Sequence, residues 1–523
     1  MNEFPWLTVL AAVPLVGSVV VALLPKSQPK LAKQLALAIS MVALALTVVI
    51  ALKFDGSSSQ TFQFSETHEW IPAFGISYSV GVDGIGLVLI ALAAILVPIT
   101  ILAGWNDVEE PNAETVGSVK GYFALILVLE TLMIGVFAAT DVFLFYVIFE
   151  AMLIPIYFMI GRYGGVKRSY AAMKFLIYSL LGGLFMLAAM IGLYVVSAQR
   201  SETGTGTFLW SELVGLNIDP TTQKFLFLGF FFAFAIKAPL WPFHTWLPDA
   251  ASAAKPGTAV LLIGVLDKVG TFGMIRYCLP IFPAASDFYA PVIIGMALVG
   301  IFYGAFVALG QTDMKRLFAY SSMSHFGFIA LGIFVFTSIG TSGSFVDMVA
   351  HGLSTAALFL TAGFLIQRYR GSSLLTDYSG VNKPAPVMAG FFLFAVLSSL
   401  ALPGLVSFIG EFMVLLGTFQ RYIWVGAIAT LGIVITAAYV LRVYQKSMTG
   451  PVGDGLSSIK DLGAREITAL VPIAALTILL GLYPAPVLNV VNPAVEQLMS
   501  ITHHVDPPPT VGLSSTTSEG TQP

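Results

Sequence analysis

The side chains with the most chemistry to offer are ionisable groups embedded in apolar sequence: Glu130, Glu150, Lys237, Asp267, Lys268, His325, His351 and Glu411. Placing a charge at the centre of a hydrocarbon layer is costly, so ionisable residues far from the ends of apolar runs are functional candidates by default. A lone buried histidine is more often a hydrogen-bonded structural residue than a proton carrier, but these residues form a series. Their types suit proton transfer. A lysine in a low-dielectric site holds its proton weakly, a nearby carboxylate strengthens that hold, and moving the carboxylate can drive uptake and release. Glu150 and Lys237 have this complementarity. Lys268, His325 and His351 can pass a proton laterally through water, since imidazole both accepts and donates near neutral pH. Glu411 then serves as terminal acceptor. Asp267 points about 100° away from its neighbour Lys268 on a helix, toward another span. Glu130 reads either as a structural hydrogen-bonding residue or as part of the series, and so does His244.

The elements that must hold these residues follow from composition. Of 523 residues, 57% are hydrophobic and 10% charged, and the mean hydropathy is +0.88, against about a quarter charged in soluble proteins. The bilayer is the solvent. Apolar runs of about 20 residues, the length a hydrocarbon core demands, fall near 4–24, 33–53, 82–104, 121–139, 141–161, 171–197, 222–247, 257–278, 289–309, 316–337, 346–368, 386–418, 422–446 and 465–488. The expected fold class is all-α, a polytopic membrane protein of about fourteen transmembrane helices. The first run lacks a basic leader and a small-residue cleavage site, so it reads as a retained span. The single Cys278 excludes a disulfide framework and any site needing several thiolates.

Two runs, the seventh and twelfth, are long and broken. Pro239, Pro242 and Pro403 free backbone carbonyls at mid-membrane, and such groups persist only where protein or water satisfies them. Each break reads either as a hydrated cavity or as a kink that serves packing. Pro155, one turn beyond Glu150, loosens the fifth span in the same way. Spans four to eight and nine to thirteen form two groups of five, so the second group is inverted relative to the first, the plan of an inverted-repeat transporter. The expected organisation is three N-terminal spans (1–120), a first five-helix repeat (121–278), a second, inverted repeat (288–446), and a last span with a polar C-terminal tail (447–523).

The cations set the orientation. Of 25 Lys and Arg, Lys237 and Lys268 fall inside spans, and five (Lys53, Arg200, Lys224, Arg276 and Arg421) fall in one set of alternate loops. The remaining 18 occupy the other set. The basic loops then mark the cytoplasmic or stromal face, with both termini on the lumenal or periplasmic face.

The stretches FYVIFEAMLIPIYFMIG, FAIKAPLWPFHTWLPDAASAAKPGTAVLLIGVLDKVGTFGMIR, DMKRLFAYSSMSHFGFIALGI and LPGLVSFIGEF resemble the proton-translocating subunits of complex I, a family shared with multisubunit cation/proton antiporters. The resemblance is nearest to chain 4, the M-type subunit, of the cyanobacterial and plastid NAD(P)H dehydrogenase-like complex. It implies that Glu150 and Lys237 form the switching pair of a first half-channel, that Lys268 is the central lysine, that His325 and His351 continue the axis, and that Glu411 serves the second half-channel. Relatives carry Lys at this last position, so Glu411 favours chain 4. The implied enzyme is a translocase passing electrons from ferredoxin, NADPH or NADH to plastoquinone in a thylakoid membrane. No cofactor is implied in this chain, since iron–sulfur clusters and quinone belong to partner subunits. The implied partners are the other membrane-arm subunits, including sister antiporter-like chains, together with lipid and protons, and no nucleic acid.

Two other readings compete. An autonomous cation/proton antiporter uses the same residues but is driven by an ion gradient, and association with redox subunits would separate the two. A haem-carrying electron-transfer protein would use His325 and His351 as iron ligands, and an absorption spectrum would reveal it.

Overall fold

In hydrocarbon every backbone N–H and C=O must find its partner within the segment, which turns long apolar runs into helices. The computed structural model describes residues 4–508 except Ser57, Ser59, 109–116, Glu202 and Thr203. The polar tail expected to run to 523 therefore lies, beyond 508, outside the described residues. The spans are α1 (Trp6–Leu23), α2 (Pro29–Lys53), α3 (Gly84–Ala103), α4 (Val119–Ala138), α5 (Val142–Tyr163), α6 (Arg168–Arg200), α7a (Pro220–Lys237) with α7b (Trp246–Ala253), and α8 (Pro256–Ile281). They continue as α9 (Pro283–Gly310), α10 (Met314–Phe334), α11 (Ser338–Arg368), α12a (Pro386–Ser399) with α12b (Val406–Arg421), α13 (Ile423–Met448) and α14 (Ala464–Leu482). Twelve described helices are long and apolar enough to cross a membrane. Adding the two broken spans gives the expected count.

Polar residues at the ends start these helices. Asp83, Ser118, Asp141, Asp219, Asp313 and Thr337 each accept a bond from a backbone N–H of the first turn, satisfying a donor that the helix leaves orphaned. The breaks occur where proline predicts them. After Lys237 the chain leaves helical geometry through Pro239 and Pro242, and the Ile236 carbonyl exposed there accepts from Trp246 Nε1 at 2.9 Å. In the second break Ala401 (φ +59°) and Gly404 (φ +96°) flank Pro403. α5 is interrupted at Met152, just ahead of Pro155.

The core is α8, α10 and α11. The apolar stretch of α8 is 100% buried and those of α10 and α11 are 94% buried, whereas α1, α2, α13 and α14 are mostly open to the surroundings. α8 contains two π-helical segments, Leu262–Leu266 and Met274–Cys278, a local over-wide turn that often marks functional positions.

Several features differ from the sequence expectation. The expected all-α chain carries an antiparallel hairpin between α2 and α3, β1 (Gln63–Ile71) and β2 (Ile76–Val82), with Glu66 opposite Val80 and Ile71 opposite Ile76. Past α14 lies a further helix, α15 (Ala485–Ile501), whose buried face is Val487, Val491, Val495 and Leu498, an amphipathic spacing. It lies across α3 and α11, and Ser342 Oγ donates to Asn492 Oδ1 at 2.9 Å. Arg276 is not a loop residue but sits inside α8, where it is held by Asp83 at 2.6 Å. Lys120 belongs to α4 and donates to the Ala22 and Leu24 carbonyls at 2.7 and 2.6 Å, at the end of α1. α8 runs to Ile281 and α9 starts at Pro283, so the expected boundaries at 278 and 288 fall within helices.

Candidate functional site

Lys268 lies between the two π-helical segments of α8 and is fully buried. The over-wide turn leaves the Ile263 carbonyl available, and Lys268 Nζ donates to it at 2.7 Å. The same Nζ is 2.6 Å from His351 Nδ1 on α11. The His351 ring stands 5.5 Å from the His325 ring of α10, centroid to centroid. His325 Nδ1 is 3.0 Å from Glu411 Oε1 on α12b. Four residues from four different helices thus form a line through the core, ending next to the second break. All four are at least 95% buried. The Ile263 carbonyl and the Thr355 hydroxyl, 3.3 Å from His351 Nε2, help to hold Lys268 and His351 in place.

Beyond Glu411, the buried Tyr439 of α13 and Ser321 of α10 share a 2.7 Å hydrogen bond. Ser321 lies one helical turn before His325, on the same face of α10.

The other half of the chain is less tightly joined. Lys237 is the last residue of α7a and 1% exposed. Its Nζ has no hydrogen-bond partner among the described residues. It lies instead over the rings of Phe149 at 4.8 Å and Phe175 at 5.8 Å, the arrangement by which an aromatic face steadies a cation. Glu150 of α5 directs its carboxylate onto Gly183 of α6, where any Cβ would overlap it. Glu150 and Lys237 are not among the ion pairs within 4.0 Å in the described residues. The opposite charges attract through space, without an ion-pair contact.

Asp267 connects the two halves. Both its oxygens are buried without a hydrogen-bond partner among the described residues, and its charge acts on Lys237 as well as on Lys268. Gly270 of α8 permits this approach, because a Cβ there would come within 2.5 Å of the Ala238 N and Phe234 O at the end of α7a.

Glu130 is not drawn into this line. It is buried on α4 with both oxygens unpartnered among the described residues, and no charged group acts on it appreciably. His244 occupies the first break, 5.1 Å from the Tyr303 ring and 6.2 Å from the Tyr320 ring. It neighbours a charged cluster in which Asp249 binds Lys174 at 2.7 Å and Arg316 at 2.5 Å. The haem reading fits poorly. The His351 ring is packed against the Phe326 ring at 5.2 Å and the His325 ring at 5.5 Å, and Lys268 Nζ lies 2.6 Å from its Nδ1, so a macrocycle would have to displace the core side chains that close on it.

One residue escaped the sequence reading. Asp347, 1% exposed on α11, lies one turn before His351. The sequence placed the start of this span at 346, which made Asp347 look terminal, whereas the helix begins at Ser338. An acid spaced four residues from a buried histidine was the available signal.

A family model described as "NADH:quinone oxidoreductase/Mrp antiporter, TM" matches residues 139–436. The chain belongs to this family. The match takes in every candidate except Glu130, the one the structure leaves apart. NADH-quinone oxidoreductase subunit M of Mycobacterium tuberculosis is 50% identical over 100% of both chains, and the chain is of this antiporter-like, subunit M type. Among solved structures, respiratory complex I from Thermus thermophilus contains a chain with a TM-score of 0.84 and 31% identity, covering 95% of this chain and 99% of that one. The Mrp complex from Dietzia sp. gives a TM-score of 0.80 at 22% identity, covering 95% of this chain and 52% of that one, a likeness of fold alone. The protein is a multi-pass integral membrane protein and a subunit-type component of a larger assembly.

Proposed function

We propose that this chain moves protons across the membrane as the M-type subunit of an NADH-quinone oxidoreductase, through Glu150, Lys237, Asp267, Lys268, His351, His325 and Glu411. The observation that carries the reading is the line Lys268–His351–His325–Glu411, which crosses the most deeply buried helices of the fold. Each member takes up one proton and releases it, and a neutral imidazole can accept at one ring nitrogen while donating from the other. Electron transfer belongs to partner subunits, and quinone reduction there drives changes of field at Glu150 and Lys237. Two five-helix repeats, each with one broken helix, supply two half-channels that meet at Lys268. The relatives' names specify NADH-quinone oxidoreductase and respiratory complex I. They support NADH and a respiratory membrane over the plastoquinone and thylakoid setting suggested by the resemblance. The excess of Lys and Arg in alternate loops favours the periplasmic face for both termini.

The test is proton uptake together with quinone reduction in membranes holding the assembled complex. Lys268→Ala is expected to suppress both, because pumping and electron flow are coupled. Wild-type pumping in an assembled Lys268→Ala complex would mean that the line is structural. An independent antiporter would be indicated by purification without redox subunits.

A further inference from the structure

The path as described passes a buried acid, Asp347, without using it. α11 and α12b pack backbone to backbone. A Cβ on Gly410 would come within 2.7 Å of the Asp347 Cα and N, and one on Gly343 within 2.7 Å of Met413 Cβ and Val414 N. This approach puts Asp347 of α11 beside Glu411, the residue after Gly410. Asp347 lies on the same face of α11 as His351, four residues away. Its Oδ2 is sealed in the core with no hydrogen-bonding partner among the described residues. Burying an acidic oxygen without a partner is costly, and nothing in the packing here requires a carboxylate. An apolar side chain of similar size would fill the space without that cost. Asp347 and Glu411 act on each other electrostatically, and Lys268 acts on Asp347 from the other side. Two carboxylates sharing one lysine leave a buried negative charge uncompensated unless one of the groups carries a further proton.

We propose that Asp347 is a further proton-carrying residue, a second acid that holds the proton in transit between the Lys268–His351 end of the line and Glu411. The proposal rests on the proton-translocation reading above. In the forward step the N–H bond of the His351 imidazolium breaks and an O–H bond forms on Asp347 through an intervening water. In the next step that O–H breaks and the proton passes to Glu411, directly or by way of His325. No electron moves and no other reactant is needed. His325 Nε2 has no hydrogen-bond partner among the described residues, so no bond joins it to His351, and Asp347 offers a stopping point beside that gap.

The experiment compares Asp347→Asn, Asp347→Ser, Asp347→Glu and Glu411→Gln in the intact membrane complex. Protons translocated per electron pair and quinone reduction are measured separately. Asp347→Asn and Asp347→Ser are expected to lower the pumping rate by about tenfold, less than the hundredfold typical of a positioned proton-transfer group because water can bypass it. Asp347→Glu should restore most of the rate, a rescue that a merely space-filling residue would not show. Pumping at the wild-type level in Asp347→Asn while Glu411→Gln is impaired would overturn the role of Asp347 and leave the line intact. Wild-type pumping in both Asp347→Asn and Glu411→Gln would overturn the line as well. If only Asp347→Glu assembles, with Asn and Ser both failing, the carboxylate is a structural anchor and the proposal falls.

Discussion

At the scale of single residues, the line separates groups that touch from groups that only sense one another. Lys268, His351, His325 and Glu411 are tied by hydrogen bonds and ring proximity, whereas Glu150 and Lys237 are linked only through the field. Removing one of a buried charged pair strands the other, a penalty of about 3–5 kcal/mol when the partners are in full contact and smaller across a gap. Glu150→Gln and Lys237→Ala should each depress proton uptake in assembled complexes. The double variant should resemble the worse single variant rather than their sum, because both changes disable one element. Additive losses would show that the two act independently. Lys268→Arg is a sharper probe, since a guanidinium donates hydrogen bonds but does not give up its proton. It should assemble and fail to pump. Most of these residues were legible in sequence because charge is rare in apolar runs. Asp347 was not, because its depth depends on where α11 begins, and a helix end is poorly marked when polar residues such as Ser342 and Ser344 continue into the buried part.

At the scale of elements, glycine determines what can approach. Gly183 makes room for the Glu150 carboxylate, and Gly410 lets α12b lie against α11. Gly183→Val should displace Glu150 without removing it, so pumping falls while the charge count is unchanged. Normal pumping would mean the carboxylate has another resting place. Gly410→Val should separate α11 from α12b at a cost of about 1–3 kcal/mol, typical of overpacking, and a lowered Tm of the purified complex would register it. The spans themselves were legible as apolar lengths and their breaks as prolines. The π-helical segments of α8 were not, since LIGVL and MIRYC differ from ordinary helix only in what packs on them. The hairpin and α15 were missed for another reason. Both lie along one face rather than crossing, so length against a bilayer did not select them, and α15 carries Asn489, Asn492 and Glu496 on a helix too polar to span.

At the scale of the whole molecule, the hairpin, α15 and the N-terminal segment share one face. Thr8 donates to Glu66 at 2.5 Å, and Gln497 Nε2 donates to Thr61 Oγ1 at 2.6 Å. The other face carries the basic ends of the spans, including the Lys174–Asp249–Arg316 cluster. Moving Arg276 from a loop into an internal ion pair with Asp83 leaves that asymmetry intact. Cysteines introduced at Lys30 and at Val505 should therefore react with a membrane-impermeant thiol reagent from opposite sides of the membrane, Lys30→Cys from the cytoplasm and Val505→Cys from the periplasm. The natural Cys278 is buried and should stay silent. Labelling of both from one side would invalidate the fourteen-span topology, and a simple exchange of sides would reverse the orientation.

The two acceptors that hold Lys268 differ in kind. The Ile263 carbonyl never takes a proton, so the bond to it survives whether the amine is charged or neutral, while His351 can answer with a proton of its own. A long flexible side chain ordinarily loses about 2 kcal/mol of rotamer freedom each time it is brought into register. Here that freedom has been surrendered once, during folding, to a partner that does not change. Each turnover then requires only the proton to move, and the arm that carries it need not be re-aimed.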